Sequence, residues 1–288
     1  MVKFFPAGGW ADLSARAKFR LAGSDRERFL QGQISNDVRL AREDATLFAC
    51  VMTVKGKMCA DIFIRAEPDA YGVDAEAELR ESLAARLERY IIADDVTLED
   101  ITDATGLFHV IEPHELGILP VELAPLVRRA RSNRYGREGL DLFAPSSLAG
   151  PLRAWLGAGE LSAAALELLR ISECVPRWGH DLAGDTIPVE AGLEDRAISY
   201  TKGCYIGQEV ISRIKSVGRV NHHLRRLRAA FPLRAGEALQ AEGRPAGEIT
   251  SAVLVPDSGH WLALGYLRTG FEHPGCRLTS DAGEVEVW

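Results

Sequence analysis

The 288 residues carry 34 basic and 41 acidic side chains, a formal net charge of −7 with a pI near 5.6. With 47% hydrophobic and 26% charged residues, the chain has material for buried cores, which excludes a disordered or low-complexity protein. At roughly 150 residues per domain the length suggests two domains, or three small ones. No apolar run approaches the ~20 residues that span a bilayer. The N-terminal residues show neither a signal-peptide nor a transit-peptide pattern. Five scattered cysteines without a CxxC pair argue against a disulfide scaffold and a zinc knuckle. A cytoplasmic protein is expected, without a membrane partner.

Lys18 to Gly23 alternates like a short strand. Ser24 with Glu27 three residues on forms a capping box, predicting a helix that gives way near Ser35-Asn36-Asp37. Thr46 to Val54 and Met58 to Arg65 read as strands joined by a Lys55-Gly56-Lys57 turn, with another strand at Tyr71 to Ala75. Leu79, Leu83 and Leu87 mark a helix over Glu76 to Tyr90. A second round follows, with strands at Val96 to Leu98, Leu107 to Ile111 and Arg128 to Arg131. Helices are predicted at Ser147 to Leu156 and Ser162 to Cys174. Beyond about Lys215, short β-like runs at 224–231, 248–255 and 261–267 are separated by Gly, Pro and Asp clusters. The fold class is α+β. Residues 1–215 are expected to hold two α+β units, possibly interleaved, and residues 216–288 a small β-barrel.

Charge is unevenly placed. Val210 to Gly236 carries Arg213, Lys215, Arg219, Arg225, Arg226, Arg228 and Arg234 with no acid, and Leu123 to Arg137 carries five arginines with none. Against a net negative charge, these stretches suggest either a local site for an anionic small molecule or solvated faces balancing acids elsewhere. The densest segment for chemistry is Ser199 to Arg213. Gly203 and Gly207 permit close backbone approach, and a helix from Gln208 would leave Cys204 in the turn before it. Lys202, two residues from that thiol, would favour thiolate. No histidine or second cysteine is adjacent, so spacing alone leaves Cys204 between a nucleophile and a buried turn residue.

The residues themselves say more than their spacing. Lys202-Gly203-Cys204-Tyr205-Ile206-Gly207-Gln208-Glu209 resembles the K-G-C-[FY]-x-G-Q-E signature of the YgfZ family, folate-binding proteins related to the glycine-cleavage T-protein (aminomethyltransferase). Phe29 to Val38, Phe-Leu-Gln-Gly-Gln-Ile-Ser-Asn-Asp-Val, is similar to that family's N-terminal segment. Arg170-Ile171, then Gly179-His180-Asp181 and Pro188-Val189-Glu190, resembles the stretch leading to a pterin-binding glutamate. The resemblance implies three subdomains in a ring around a folate-binding opening, with tetrahydrofolate or a one-carbon derivative as cofactor.

By its match, Glu190 would grip the pterin through paired charge-assisted hydrogen bonds. Cys204 and Lys202 would supply thiol chemistry, and Tyr205 and Gln208 would stand on the cofactor side. Arg213 and Arg219 are candidates, on charge alone, for the glutamate tail of folate. Asp61 follows the glycine hairpin where the T-protein has a paired acid, but Ala60 takes the neighbouring place, so aminomethyl transfer is in question. His222-His223 lacks further ligands nearby, and no metal site is expected. The function so implied is an accessory protein supporting the assembly or repair of iron–sulfur enzymes. Iron–sulfur client proteins would be its partners, and it would be a monomer. The alternatives are a folate-dependent aminomethyl or one-carbon transferase, or a tRNA-modification-associated protein. The net charge of −7 disfavours nucleic acid as a partner.

Overall fold

The computed structural model describes residues 9–218, 220–256 and 258–288. The chain opens with β1 (Trp10–Asp12), β2 (Ala17–Ala22), α1 (Arg26–Gln33), β3 (Leu47–Met52), β4 (Met58–Ala66), β5 (Ala70–Ala75), α2 (Arg80–Glu88) and β6 (Thr97–Asp100). It continues through β7 (Thr105–Ile111), β8 (Arg128–Ser132), β9 (Gly139–Pro145), α3 (Ala149–Leu156), α4 (Ala163–Ser172), α5 (Glu194–Ala197) and α6 (Gln208–Val217). The last six strands are β10 (His222–Ala229), β11 (Ala238–Ala241), β12 (Arg244–Leu254), β13 (Trp261–Arg268), β14 (Arg277–Ser280) and β15 (Gly283–Val287).

The strands form a five-stranded sheet in the order β3-β4-β5-β2-β6, a four-stranded sheet in the order β1-β7-β9-β8, and a closed barrel, β10-β13-β12-β11-β14-β15. This is the α+β architecture expected, two α+β units followed by a barrel. The units are interleaved, because β1 crosses to pair with β7 in the second sheet. Among the described residues no helix is long and apolar enough to cross a membrane.

Besides the unpredicted β1, α5, β11, β14 and β15, three details depart from the sequence reading. The first helix starts at Arg26, not Ser24, because the Ser24 hydroxyl donates to Asp95 Oδ2 at 2.7 Å instead of capping. Residues 77–79 form a 3₁₀ turn ahead of α2, so that helix is shorter than 76–90. The strand β9 has no counterpart among the predicted elements; it lies mid-sheet between β7 and β8 and includes the buried Asp141, which breaks its apolar pattern.

The first sheet is buried on both faces, and its two faces differ in chemistry. Ala17, Phe19 and Leu21 of β2, Ala60, Ile62 and Ile64 of β4, and Tyr71, Val73 and Ala75 of β5 pack with Leu30 of α1 and Leu83 and Leu87 of α2. The two-residue repeat of a strand then turns Asp61, Phe63 and Arg65 of β4, and Asp74 of β5, to the other face. That face meets the second sheet: Arg65 lies over the Phe143 ring of β9, 4.6 Å from its centroid. Helix α4 packs Leu168 and Ile171 against Leu224, Leu262 and Leu264 of the barrel.

Candidate functional site

Two segments singled out in the sequence lock together. Lys202 is buried, and its Nζ donates to the carbonyls of Gln31, Ile34 and Asn36 at 2.8, 2.7 and 2.8 Å, at and just beyond the end of α1. Ile206 N–H reaches the Gly32 carbonyl at 3.1 Å. Gln31 in turn donates to Asp37 Oδ1 and accepts from Val38 N, each at 2.9 Å. Tyr205 packs with Cys50, Met52 and Met58, and burial pushes its hydroxyl up to about 12. Gln208 Oε1 accepts from Tyr205 N at 3.1 Å. Lys202, Tyr205 and Gln208 therefore hold the loop in place, while the Cys204 side chain stands exposed on it. The Lys202 ammonium is committed to the three carbonyls, and burial pulls it down to about 8.

A cavity of about 240 Å³ lies where β4, the 134–135 turn, α4 and the 175–196 segment converge. Its floor is the Phe48–Phe63 pair, with ring centroids 4.8 Å apart. Arg134 lies over Phe63 at 4.1 Å and Arg196 over Phe48 at 5.4 Å. Behind the floor runs a buried charge network. Arg134 donates to both oxygens of Asp74 at 2.8 Å and to both oxygens of Asp141 at 2.8–3.0 Å. Arg16 Nε reaches Asp74 Oδ1 at 2.6 Å and Arg16 also pairs with Glu76, while His109 Nδ1 meets Asp141 Oδ1 at 2.7 Å. Burial alone would raise the two aspartates, but the guanidiniums hold both below the usual carboxylate range.

Asp61 is left out of that network. It is 6% exposed, and its Oδ1 is buried without a hydrogen-bond partner. Burial raises its pKa to about 6, against the pull of Arg16 and with Glu76 adding to the rise. Two other cavity side chains carry buried unpaired donors, Arg16 Nη2 and Arg177 Nε. Unpaired buried polar atoms are costly, and a wall that carries an acceptor beside donors suits a polar ligand. The arrangement can take up a proton at Asp61 near neutral pH and hold a flat polar ring over two phenylalanines.

The cavity is tied to the barrel through Arg170 and Asp181, both named in the sequence reading. Arg170 Nη1 donates to Asp181 Oδ2 at 2.6 Å, and Arg170 also pairs with Glu167, which lines the cavity. A register shift in β12 between Ile249 and Ser251 turns Thr250 and Ser251 so that both hydroxyls donate to Asp181 Oδ1, the latter at 2.8 Å.

The remaining candidates lie elsewhere. Glu190 sits outside this cavity, its carboxylate 3.7 Å from His222 Nδ1. It lines a separate cavity of about 520 Å³ with Asp181, Thr186, His222 and Tyr266, and a further depression with Arg213, which is exposed on α6. Arg219 falls outside the described residues. Four more members of that basic stretch are engaged within the fold: Lys215 pairs with Glu194 and Arg228 with Glu286, while Arg225 donates to the Glu272 carbonyl and Arg226 to that of Ser172. Among the described residues no group of three His, Cys, Asp or Glu could hold a metal ion. Sequence reasoning missed Arg16, Glu76, Glu167, Arg177 and Arg196. For Arg134 there was a signal, the acid-free arginine stretch, but not that its charge is consumed inside the fold.

The fold, two α+β units followed by a closed barrel, is similar to that of the glycine cleavage system aminomethyltransferase T from Bartonella henselae. The two overlay with a TM-score of 0.84 across 99% of this chain and 86% of that one, at 19% identity. In sequence the chain is 27% identical over 307 residues to an aminomethyltransferase of Exiguobacterium sibiricum, covering 97% of this chain and 82% of that one. It is 25% identical over 279 residues to a chloroplastic protein of Arabidopsis thaliana provisionally named a transferase, covering 89% of this chain but 64% of the relative's length. No protein-family model matches the chain. The protein is thus aminomethyltransferase-like in sequence and fold, and these likenesses do not single out the YgfZ branch.

Proposed function

We propose that the protein is a tetrahydrofolate-binding one-carbon transferase of the aminomethyltransferase type, with the Asp61 cavity as its folate site. The observation that carries this reading is the buried, unpaired Asp61 carboxylate facing a cavity that also holds unpaired guanidinium donors. A pterin fits these groups. Its amino and ring N–H edge can donate to carboxylates such as Asp61, Glu76 or Glu167, its ring nitrogens and oxygen can accept from Arg16, and its flat face suits the Phe48–Phe63 floor. Tetrahydrofolate supplies secondary amine nitrogens that accept a one-carbon unit. Asp61 would hold or release the proton that such a transfer moves, its raised pKa placing that exchange near neutral pH. Arg16 would orient the ring, and the aromatic floor would exclude water.

Calorimetric titration of tetrahydrofolate into wild type, Asp61→Asn and Glu190→Ala tests this. Wild type should bind, Asp61→Asn should weaken binding about tenfold or more and stop transfer, and Glu190→Ala should bind normally. Loss of binding at Glu190 alone would move the pterin to the Glu190 cleft, and a folded wild type that binds no folate would end the reading.

A second reading keeps the iron–sulfur role, supported by the exposed Cys204 on its anchored loop and by Ala60 beside the single acid. It requires Cys204→Ser to bind folate yet fail to restore iron–sulfur enzymes in cells lacking the protein. Full restoration would remove the thiol from the function.

A further inference from the structure

Five guanidinium groups line the cavity, and their partners differ. Arg134 is taken up by Asp74 and Asp141, Arg170 by Asp181 and Glu167, and Arg16 by Asp74 and Glu76 apart from its free Nη2. Arg177 lies 3.6 Å from the Glu167 carboxylate and meets His180 Nε2 at 2.5 Å. Arg196 has no ion pair among the described residues. Its side chain donates from Nη2 to the Asn133 carbonyl at 2.5 Å, and burial pulls its pKa down with no neighbouring acid to offset the effect.

The position of Arg196 is fixed. Asn36 Nδ2 donates to the Arg196 carbonyl at 3.3 Å and to that of Phe48 at 2.9 Å, pinning α5 to β3. The guanidinium lies over Phe48, and Phe48 touches Phe63, on the same strand and face as Asp61. A half-buried cation held in place without an anion is costly to maintain, and a ligand anion would offset that cost. The Asp61 end of the floor has an unpaired acceptor, and the Arg196 end has an unpaired cation.

We propose that Arg196 is a carboxylate subsite of this cavity, separate from the Asp61 end. A guanidinium presents paired donors that match a carboxylate. Two sources would supply one, the glutamyl tail of folate or the α-carboxylate of an amino-acid donor of the one-carbon unit. The proposal deepens the folate reading in naming these sources, but the subsite itself stands on the unpaired guanidinium.

The test titrates tetrahydrofolate, a tetrahydropterin lacking the benzoyl-glutamate tail, and N-methylglycine into wild type, Arg196→Gln and Arg196→Lys, with thermal unfolding to confirm that each is folded. Arg196→Gln should weaken a carboxylate-bearing ligand about tenfold or more, Arg196→Lys should regain part of it, and the tailless pterin should be unaffected. A loss confined to tetrahydrofolate identifies the glutamyl carboxylate, and a loss confined to N-methylglycine identifies the donor's. Equal losses for pterin and tetrahydrofolate, or no loss for any ligand, overturn the proposal. If neither pterin compound binds wild type but N-methylglycine binds through Arg196, the folate reading falls and the subsite stands. A wild type that binds none of the three overturns both.

Discussion

Gly207 packs directly on Gly56. A Cβ on Gly207 would lie 3.3 Å from the Gly56 Cα and 2.7 Å from the Thr53 carbonyl oxygen, and Gly207 itself has φ of +90°. The start of α6 is thereby pressed onto the β3–β4 turn, and the motif loop is seated between that turn and the end of α1. The motif's other glycine, Gly203, would meet nothing within 4 Å if it carried a Cβ, and it has no positive φ.

The two glycines should therefore respond differently to alanine. Gly207→Ala suffers both a left-handed backbone and a backbone clash, and is expected to cost ~2–4 kcal/mol. Gly203→Ala should change stability by less than ~0.5 kcal/mol. Urea unfolding of the two variants beside wild type checks this, and equal midpoints would refute the packing argument.

Lys202 predicts a second asymmetry. Lys202→Met keeps the aliphatic stem but leaves the Gln31, Ile34 and Asn36 carbonyls without their ammonium. The expected loss is ~2–4 kcal/mol, with early hydrogen-exchange opening of the 31–38 segment. Cys204→Ser, exposed on the same loop, should leave stability and exchange unchanged.

Asp61 should give the protein a measurable pH signature. Its folded pKa of about 6 lies above the ordinary value of 3.8, so the folded state holds this proton more tightly than the unfolded chain. The resulting stabilisation is complete below pH ~4 and is lost as pH rises through about 6, by up to ~3 kcal/mol. Asp61→Asn removes that dependence. The stability difference, variant minus wild type, should grow in the variant's favour from pH 4 to pH 7, read from denaturant midpoints at each pH. A flat difference would mean that Asp61 titrates normally.

The Arg170–Asp181 pair joins α4 to the barrel. Arg170→Met strands a buried carboxylate and should cost ~3–5 kcal/mol, whereas Arg170→Met with Asp181→Leu should recover much of it. A double-mutant cycle measures the coupling, and additive costs would show that the pair is not the link.

Much of this architecture was legible in the chain itself. Alternation in β2, the glycine turn joining β3 and β4, the leucine spacing of α2, and the Ser162 start of α4 are local signals, and the eight residues from Lys202 to Glu209 mark one loop and the start of α6 without any knowledge of their surroundings. The second face of the first sheet was not legible. Lys18, Asp61, Arg65 and Asp74 occupy the positions that a half-exposed strand gives to solvent, and only the packing of the rest of the fold over them buries all four, placing Asp74 in a charge network and Asp61 in a cavity wall. The roles of the arginines were hidden for the same reason. A charge count shows that Arg134 and Arg196 are cations, but whether each meets a carboxylate depends on residues far away in sequence. Arg134 is neutralised by Asp74, 60 positions away, while Arg196 is left facing the cavity. Local residue pattern determined the strands, helices and the motif loop. Which charges are paired, and which remain free for a ligand, was decided only by the tertiary structure, because pairing is a property of distance in space.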